Sequence, residues 1–149
     1  MAEKQYVIFK LDQHEYGIEI SNVKEITDYK EGIKVPNAPD FVDGVINLRG
    51  DVVPIINLKK RFNLDITEIE KNSRVIITNI NGKLVGFVVD DASQVLTING
   101  DDVESPPELI LNENSRFVTG IGKVDNEIII ILNFKEVLSE EEKQKIQEM

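Results

Sequence analysis

The sequence predicts a mostly-β protein built of two related halves, and three observations carry that prediction. Short apolar, β-branched runs recur between turn signals. One segment of 22 residues repeats without gaps later in the chain. Helical patterns are confined to two short stretches. Many short strands at this spacing indicate small barrels or a sandwich.

Residues 5–11 and 16–20 are apolar and β-branched, and Asp12-Gln13-His14-Glu15 between them completes a hairpin signature. Further strand-like runs are Val23–Ile26, Val45–Leu48, Val52–Ile56, Arg74–Ile80, Leu84–Val89, Val95–Ile98, Phe117–Val124 and Glu127–Leu132. Turns are marked by Arg49-Gly50, Asn99-Gly100, Asp125-Asn126 and above all Asn81-Gly82, a strong type I′ signal. Pro54 interrupts an apolar run and cannot donate to a ladder, so its strand is expected at a sheet edge or bulged. Asn57–Phe62 has room for one or two helical turns. Ser139-Glu140-Glu141-Glu142 is a capping box, which opens a C-terminal helix within 139–149.

The repeat sets the organisation. FVDGVINLRGDVVPIINLKKRF, residues 41–62, aligns on FVTGIGKVDNEIIIILNFKEVL, residues 117–138, at a constant offset of 117 − 41 = 76. A second pair, Val7-Ile8-Phe9 with Tyr16-Gly17-Ile18, resembles Val75-Ile76-Ile77 with Val85-Gly86-Phe87 at offsets of 68 and 69. Two halves of about five strands are each too small to bury much core alone, so they are expected to pack as one domain over residues 1–149. The approximate halves are 13–82 and 83–138, with the N-terminal strand free to join the second. The groove between packed halves is a favoured place for a partner.

Charge and composition narrow the function. The formal net charge is −10, from 27 acidic against 17 basic residues. Such a field repels phosphate backbones and anionic lipid, so neither nucleic acid nor direct membrane insertion is expected. Lys59-Lys60-Arg61 is followed by Asp65 and Glu68 and reads as a solvated helix end. The longest apolar run, Ile128–Leu132, falls far short of the roughly 20 residues a membrane span needs. With no Cys and no signal-like N-terminus, a soluble cytoplasmic protein is expected.

Chemistry is scarce. His14, the only histidine, stands in a turn beside Glu15 with no nucleophile or second ligand in a recognisable arrangement. Asp101-Asp102-Val103-Glu104 lacks the alternating ligands and central Gly of a calcium loop. Gly120-Ile121-Gly122 falls inside a strand pattern rather than at a strand-to-helix turn. No catalytic group, cofactor or metal is therefore expected.

The distinctive segment is Gly44-Val45-Ile46-Asn47-Leu48-Arg49-Gly50, followed by Val53-Pro54-Ile55-Ile56-Asn57-Leu58. It resembles the hallmark of the CheW family of bacterial chemotaxis adaptors. Tyr16-Gly17-Ile18-Glu19-Ile20, Val23-Lys24-Glu25-Ile26, Val35-Pro36-Asn37-Ala38-Pro39, Val85–Asp90 and Phe117–Gly122 extend the resemblance across nearly the whole chain. The resemblance implies two five-stranded SH3-like barrels and no catalysis. As partners it implies the regulatory domain of the histidine kinase CheA and the cytoplasmic hairpin tip of a chemoreceptor. It also implies recruitment to membrane receptor arrays. A scaffold for another kinase-controlled output and a small-barrel enzyme are the alternatives.

Arg49 is expected to project from a hairpin turn where Gly50 takes positive φ, offering a planar two-point contact to a partner. The plainer expectation is that it pairs with Asp51 or Glu25 of its own barrel. Asn47 and Leu48 flank it. By resemblance Val23, Glu25 and Ile26 contribute to receptor contact, although strand alternation places Ile26 opposite Val23 and Glu25. Val88 and Asp90 are weaker candidates for the same groove. Gly44, Gly50 and Gly86 are expected to be structural.

Overall fold

The computed structural model describes residues 3–62, 64, 73–107 and 117–147. The elements are β1 (Glu3–Leu11), β2 (His14–Glu19), β3 (Glu25–Asp28), β4 (Val42–Leu48), β5 (Asp51–Asn57), α1 (Leu58–Arg61), β6 (Arg74–Ile80) and β7 (Lys83–Val89). After these come β8 (Asp91–Asn99), β9 (Val103–Glu104), β10 (Val118–Val124), β11 (Glu127–Leu132) and α2 (Glu140–Gln147). They form the expected mostly-β pair of SH3-like units: a five-stranded sheet in the order β3-β6-β7-β5-β4 and a six-stranded sheet in the order β8-β1-β2-β11-β10-β9.

The sheets divide the chain differently from the expected halves 13–82 and 83–138. Hairpin β1–β2 sits in the sheet of β8–β11, and hairpin β6–β7 sits in the sheet of β3–β5. The cause is two parallel pairings of long range: Ile55 lies opposite Gly86, and Ile131 lies opposite Gly17. At Gly86 a Cβ would stand 2.7 Å from Val75 and 2.8 Å from Ile55, so a bare backbone is needed for the strands to close there.

The duplicated segments are equivalent in structure. Strands β4 and β10 carry a register shift at the same place, Val42/Gly44 and Val118/Gly120. The amide of Asn57 donates to Phe41 O at 2.7 Å, and that of Asn133 donates to Phe117 O at 2.8 Å. Both asparagine side chains cap the helical turn that follows, accepting from Lys60 N and Lys135 N.

Burial explains why the strand runs read as continuously apolar. Val75, Ile77 and Val88 face a core inside the first unit, while Ile76, Phe87 and Val89 face a core shared with the second. In β1, Tyr6 and Ile8 face inward to the second unit, while Val7, Phe9 and Leu11 face the shared core. Both hairpins are thus buried on both faces. At the seam Phe134 packs on Phe87 and Phe9, with ring centroids 4.4 and 5.6 Å apart. The capping box closes as the sequence predicts. Ser139 N donates to Glu142 Oε1 at 2.7 Å, Glu142 N donates to Ser139 Oγ at 3.1 Å, and Ile146 is buried in the shared core.

Pro54 is not at a sheet edge, because β5 lies between β4 and β7. It is tolerated because the β7 pairing begins one residue later, at Ile55.

Candidate functional site

The site is centred on the β4–β5 turn and the edge strand β3. Arg49 and Gly50 adopt φ of 49° and 93°, and Gly50 N donates to Asn47 Oδ1 at 2.8 Å. This side-chain turn fixes the loop, and since a Cβ at Gly50 would meet no atom within 4 Å, the glycine serves the conformation alone. Gly44 serves both needs, since its φ is 138° and a Cβ would lie 2.5 Å from Ile33 O.

From that turn the Arg49 guanidinium reaches β3 and pairs two-to-two with the Glu25 carboxylate, Nη2 to Oε1 and Nη1 to Oε2. The arginine side chain remains 68% exposed. The structure shows the plainer expectation for Arg49, a pair with Glu25 of its own unit, and leaves the guanidinium facing solvent. The hydrogen bond from Arg49 holds the Glu25 carboxyl below its ordinary pKa and raises that of the guanidinium. The strand expected from Val23 begins only at Glu25: Val23 follows a 3-10 turn and is half-buried against the shared core, and Ile26 stands exposed on the face of β3 opposite Glu25, as alternation requires.

Three of the expected contact residues face elsewhere. Leu48 and Val88 are each only 5% exposed and belong to the first unit's core, so they support the surface from below rather than forming it. The expectation for Leu48 rests on its nearness to Arg49, yet β4 alternates and turns Leu48 inward beside exposed Asn47, while Val88 lies on a strand buried on both faces. Asp90 is engaged internally: its Oδ2 lies 2.7 Å from Lys59 Nζ and accepts Asp12 N at 2.8 Å. Asn47 is exposed, but its side chain is committed to the turn.

The basic triplet is not a solvated helix end. Lys59 is buried and paired with Asp90; Lys60 Nζ lies 2.9 Å from Asp43 Oδ1; Arg61 Nη2 lies 3.3 Å from Glu142 Oε1. Each cation ties α1 to a different element, and Asp43 also accepts from Asn57 Nδ2 at 3.1 Å. Asp65 and Glu68 lie outside the described residues. The repeat offered one signal, since Lys59 and Lys135 occupy the same repeat position, but nothing local distinguishes a buried lysine from a solvated one.

Among the described residues no group of three or more His, Asp or Glu side chains is placed to hold a metal, and no helix is long and apolar enough to cross a membrane. What the surface offers is recognition: an oriented guanidinium on a rigid turn, a carboxylate, and apolar contacts on the edge strand.

The fold is a duplicated small-barrel scaffold with an exposed, oriented recognition surface on its first unit. A family model for the CheW-like domain matches residues 5–142, and the chain belongs to that family. It is 36% identical to a chemotaxis protein CheW of Klebsiella aerogenes over 139 residues, covering 93% of this chain and 84% of that one. It is 34% identical to the chemotaxis protein CheW of Bacillus subtilis, covering 95% and 90%. The crystal structure of the scaffolding protein TtCheW from Thermoanaerobacter tengcongensis superposes with a TM-score of 0.85 at 35% identity, covering 95% of this chain and 92% of that one.

Proposed function

We propose that this chain is a non-catalytic adaptor that couples chemoreceptors to the histidine kinase CheA. One surface takes the hairpin tip of the receptor and another the regulatory domain of the kinase. The observation that carries this reading is the Arg49–Glu25 pair, which presents a pre-oriented guanidinium on the edge strand β3. A guanidinium held in place loses little freedom when a partner arrives, so its contacts are made at low entropic cost. In this reading the protein is cytoplasmic and reaches the membrane only through the receptors that recruit it.

The experiment is co-sedimentation of the full chain with a receptor cytoplasmic fragment and CheA, each partner omitted in turn. Independent binding to both supports the adaptor. Failure to bind either one overturns it.

A further inference from the structure

The two seams between the units are related by the same pseudo-symmetry that relates the repeats, and they differ in the charges they hold. Hairpin β1–β2 maps on hairpin β6–β7 at an offset of 69: the turns Asp12-Gln13 and Asn81-Gly82 coincide, all four residues with positive φ, and Gly17 falls on Gly86. Continuing that register, Ser21 stands in the place of Asp90 (90 − 21 = 69) and Asn79 in the place of Lys10 (79 − 10 = 69). From the other repeat, Lys135 stands in the place of Lys59 (135 − 59 = 76).

The first seam is closed. Lys59 is buried, with its Nζ 2.7 Å from Asp90 Oδ2, and Asp90 N donates to Lys10 O at 2.9 Å. The second seam is open, a groove of about 400 Å³ lined by Ser21, Asn22, Val23, Lys24, Asn79 and Lys135. Ser21 brings no carboxylate to it. Among the described residues neither Lys135 nor Lys24 forms a salt bridge, and no acidic side chain lines the groove. A cationic groove in a chain of net charge −10 is the complement of an anion, and its twin in the same molecule shows which anion fits.

We infer that this groove is a carboxylate slot: Lys135, with Lys24 at its rim, receives an Asp or Glu side chain of the receptor fragment in the position that Asp90 fills on Lys59. The inference rests on the proposed receptor reading of β3. Val23 lines the groove and also belongs to that surface, and β3 is an edge strand, so a partner lying on it passes the mouth of the slot.

Ser21→Asp tests the slot by filling it from within. The new carboxylate takes the place on Lys135 that Asp90 takes on Lys59. The expected results are a higher melting temperature, a loss of receptor-fragment affinity of about tenfold, and unchanged CheA binding. Lys135→Glu produces a similar affinity loss by repulsion without the gain in melting temperature, and Lys135→Arg retains binding. Wild-type affinity falls more steeply with added NaCl than that of Ser21→Asp, because one ion pair across the interface is missing in the variant. Wild-type binding that both Ser21→Asp and Lys135→Glu share undiminished, with the same salt dependence, overturns the slot alone. Absence of receptor binding by the wild-type chain overturns the adaptor reading and the slot together.

Discussion

Lys59 and Asp90 form an ion pair in which the lysine side chain is 7% exposed and the carboxylate 36%. It joins α1, in the first unit, to the β7–β8 junction, and through Asp12 N to the β1–β2 turn of the second unit. A buried charge is thus one of the points at which the two units of the molecule meet, beside the core they share.

Removing the carboxylate leaves that charge with its main partner gone. Asp90→Ala is expected to cost about 2 kcal/mol, at the low side for a buried pair because Asp90 is partly solvated. Lys59→Met, which removes the buried charge itself, costs less. Urea unfolding monitored by circular dichroism checks the order, and equal losses would show that the pair acts only through packing.

The Arg49–Glu25 pair is exposed, so its substitutions are expected to act on binding rather than on stability. Arg49→Ala should lower receptor affinity about tenfold, and Arg49→Lys should fall between, since lysine keeps the charge but loses the two-point geometry. Glu25→Lys sets like charges together, frees the guanidinium, and should weaken receptor binding while leaving CheA binding nearly intact. Titration of each variant with the receptor fragment and with CheA, beside its melting temperature, checks this. Normal affinities with a large loss of melting temperature would make the pair structural.

Two carboxyls are expected to titrate on opposite sides of the ordinary value of 4.5. Glu25 is held low by Arg49, so its contribution to stability is complete above the ordinary range and is lost as pH falls through the depressed pKa. Glu15 is raised, first by its hydrogen bond with Glu127, so its contribution is present at low pH and lost as pH rises through the raised pKa. NMR titration of the side-chain carboxyls reads both. Arg49→Ala should return Glu25 toward 4.5, and Glu127→Gln should move Glu15 down. Two coincident titrations would refute the assignment.

Two glycines of the hallmark segment should respond unequally to the same change. Gly50→Ala meets no atom within 4 Å and pays only for its φ of 93°, about 1 kcal/mol. Gly44→Ala adds a Cβ 2.5 Å from a backbone oxygen at an unfavourable φ, and is expected to cost about 3 kcal/mol or more. Thermal unfolding of the pair decides it, and equal losses would mean that Ile33 yields freely.

The duplication was legible because it was written locally. The offset of 76 carried the bulges of β4 and β10 and the asparagine caps, each a matter of neighbouring residues. Membership of the sheets was not, because it depends on Ile55 meeting Gly86 and Ile131 meeting Gly17 across long stretches of chain. Val88 misled for a related reason, since a strand covered on both faces has no outward side to reveal, whereas Leu48 was legible from the alternation of β4, which turns Asn47 out and Leu48 in. Arg49 was legible from its turn. The burial of Lys59 was not, since its carboxylate comes from a residue 31 positions away (90 − 59 = 31).

The crossed hairpins bear on where such a chain comes from. Neither repeat owns a complete sheet: the first lends β1–β2 to the second and borrows β6–β7 in return. A single repeat, made alone, would hold a hairpin with no sheet of its own to join, and a second copy would satisfy it by the same loan. The molecule is therefore built like a domain-swapped homodimer whose two protomers have been fused end to end. The symmetry is not complete, and Ser21 in the groove with Lys135, where Asp90 faces Lys59, is one place where the two halves differ.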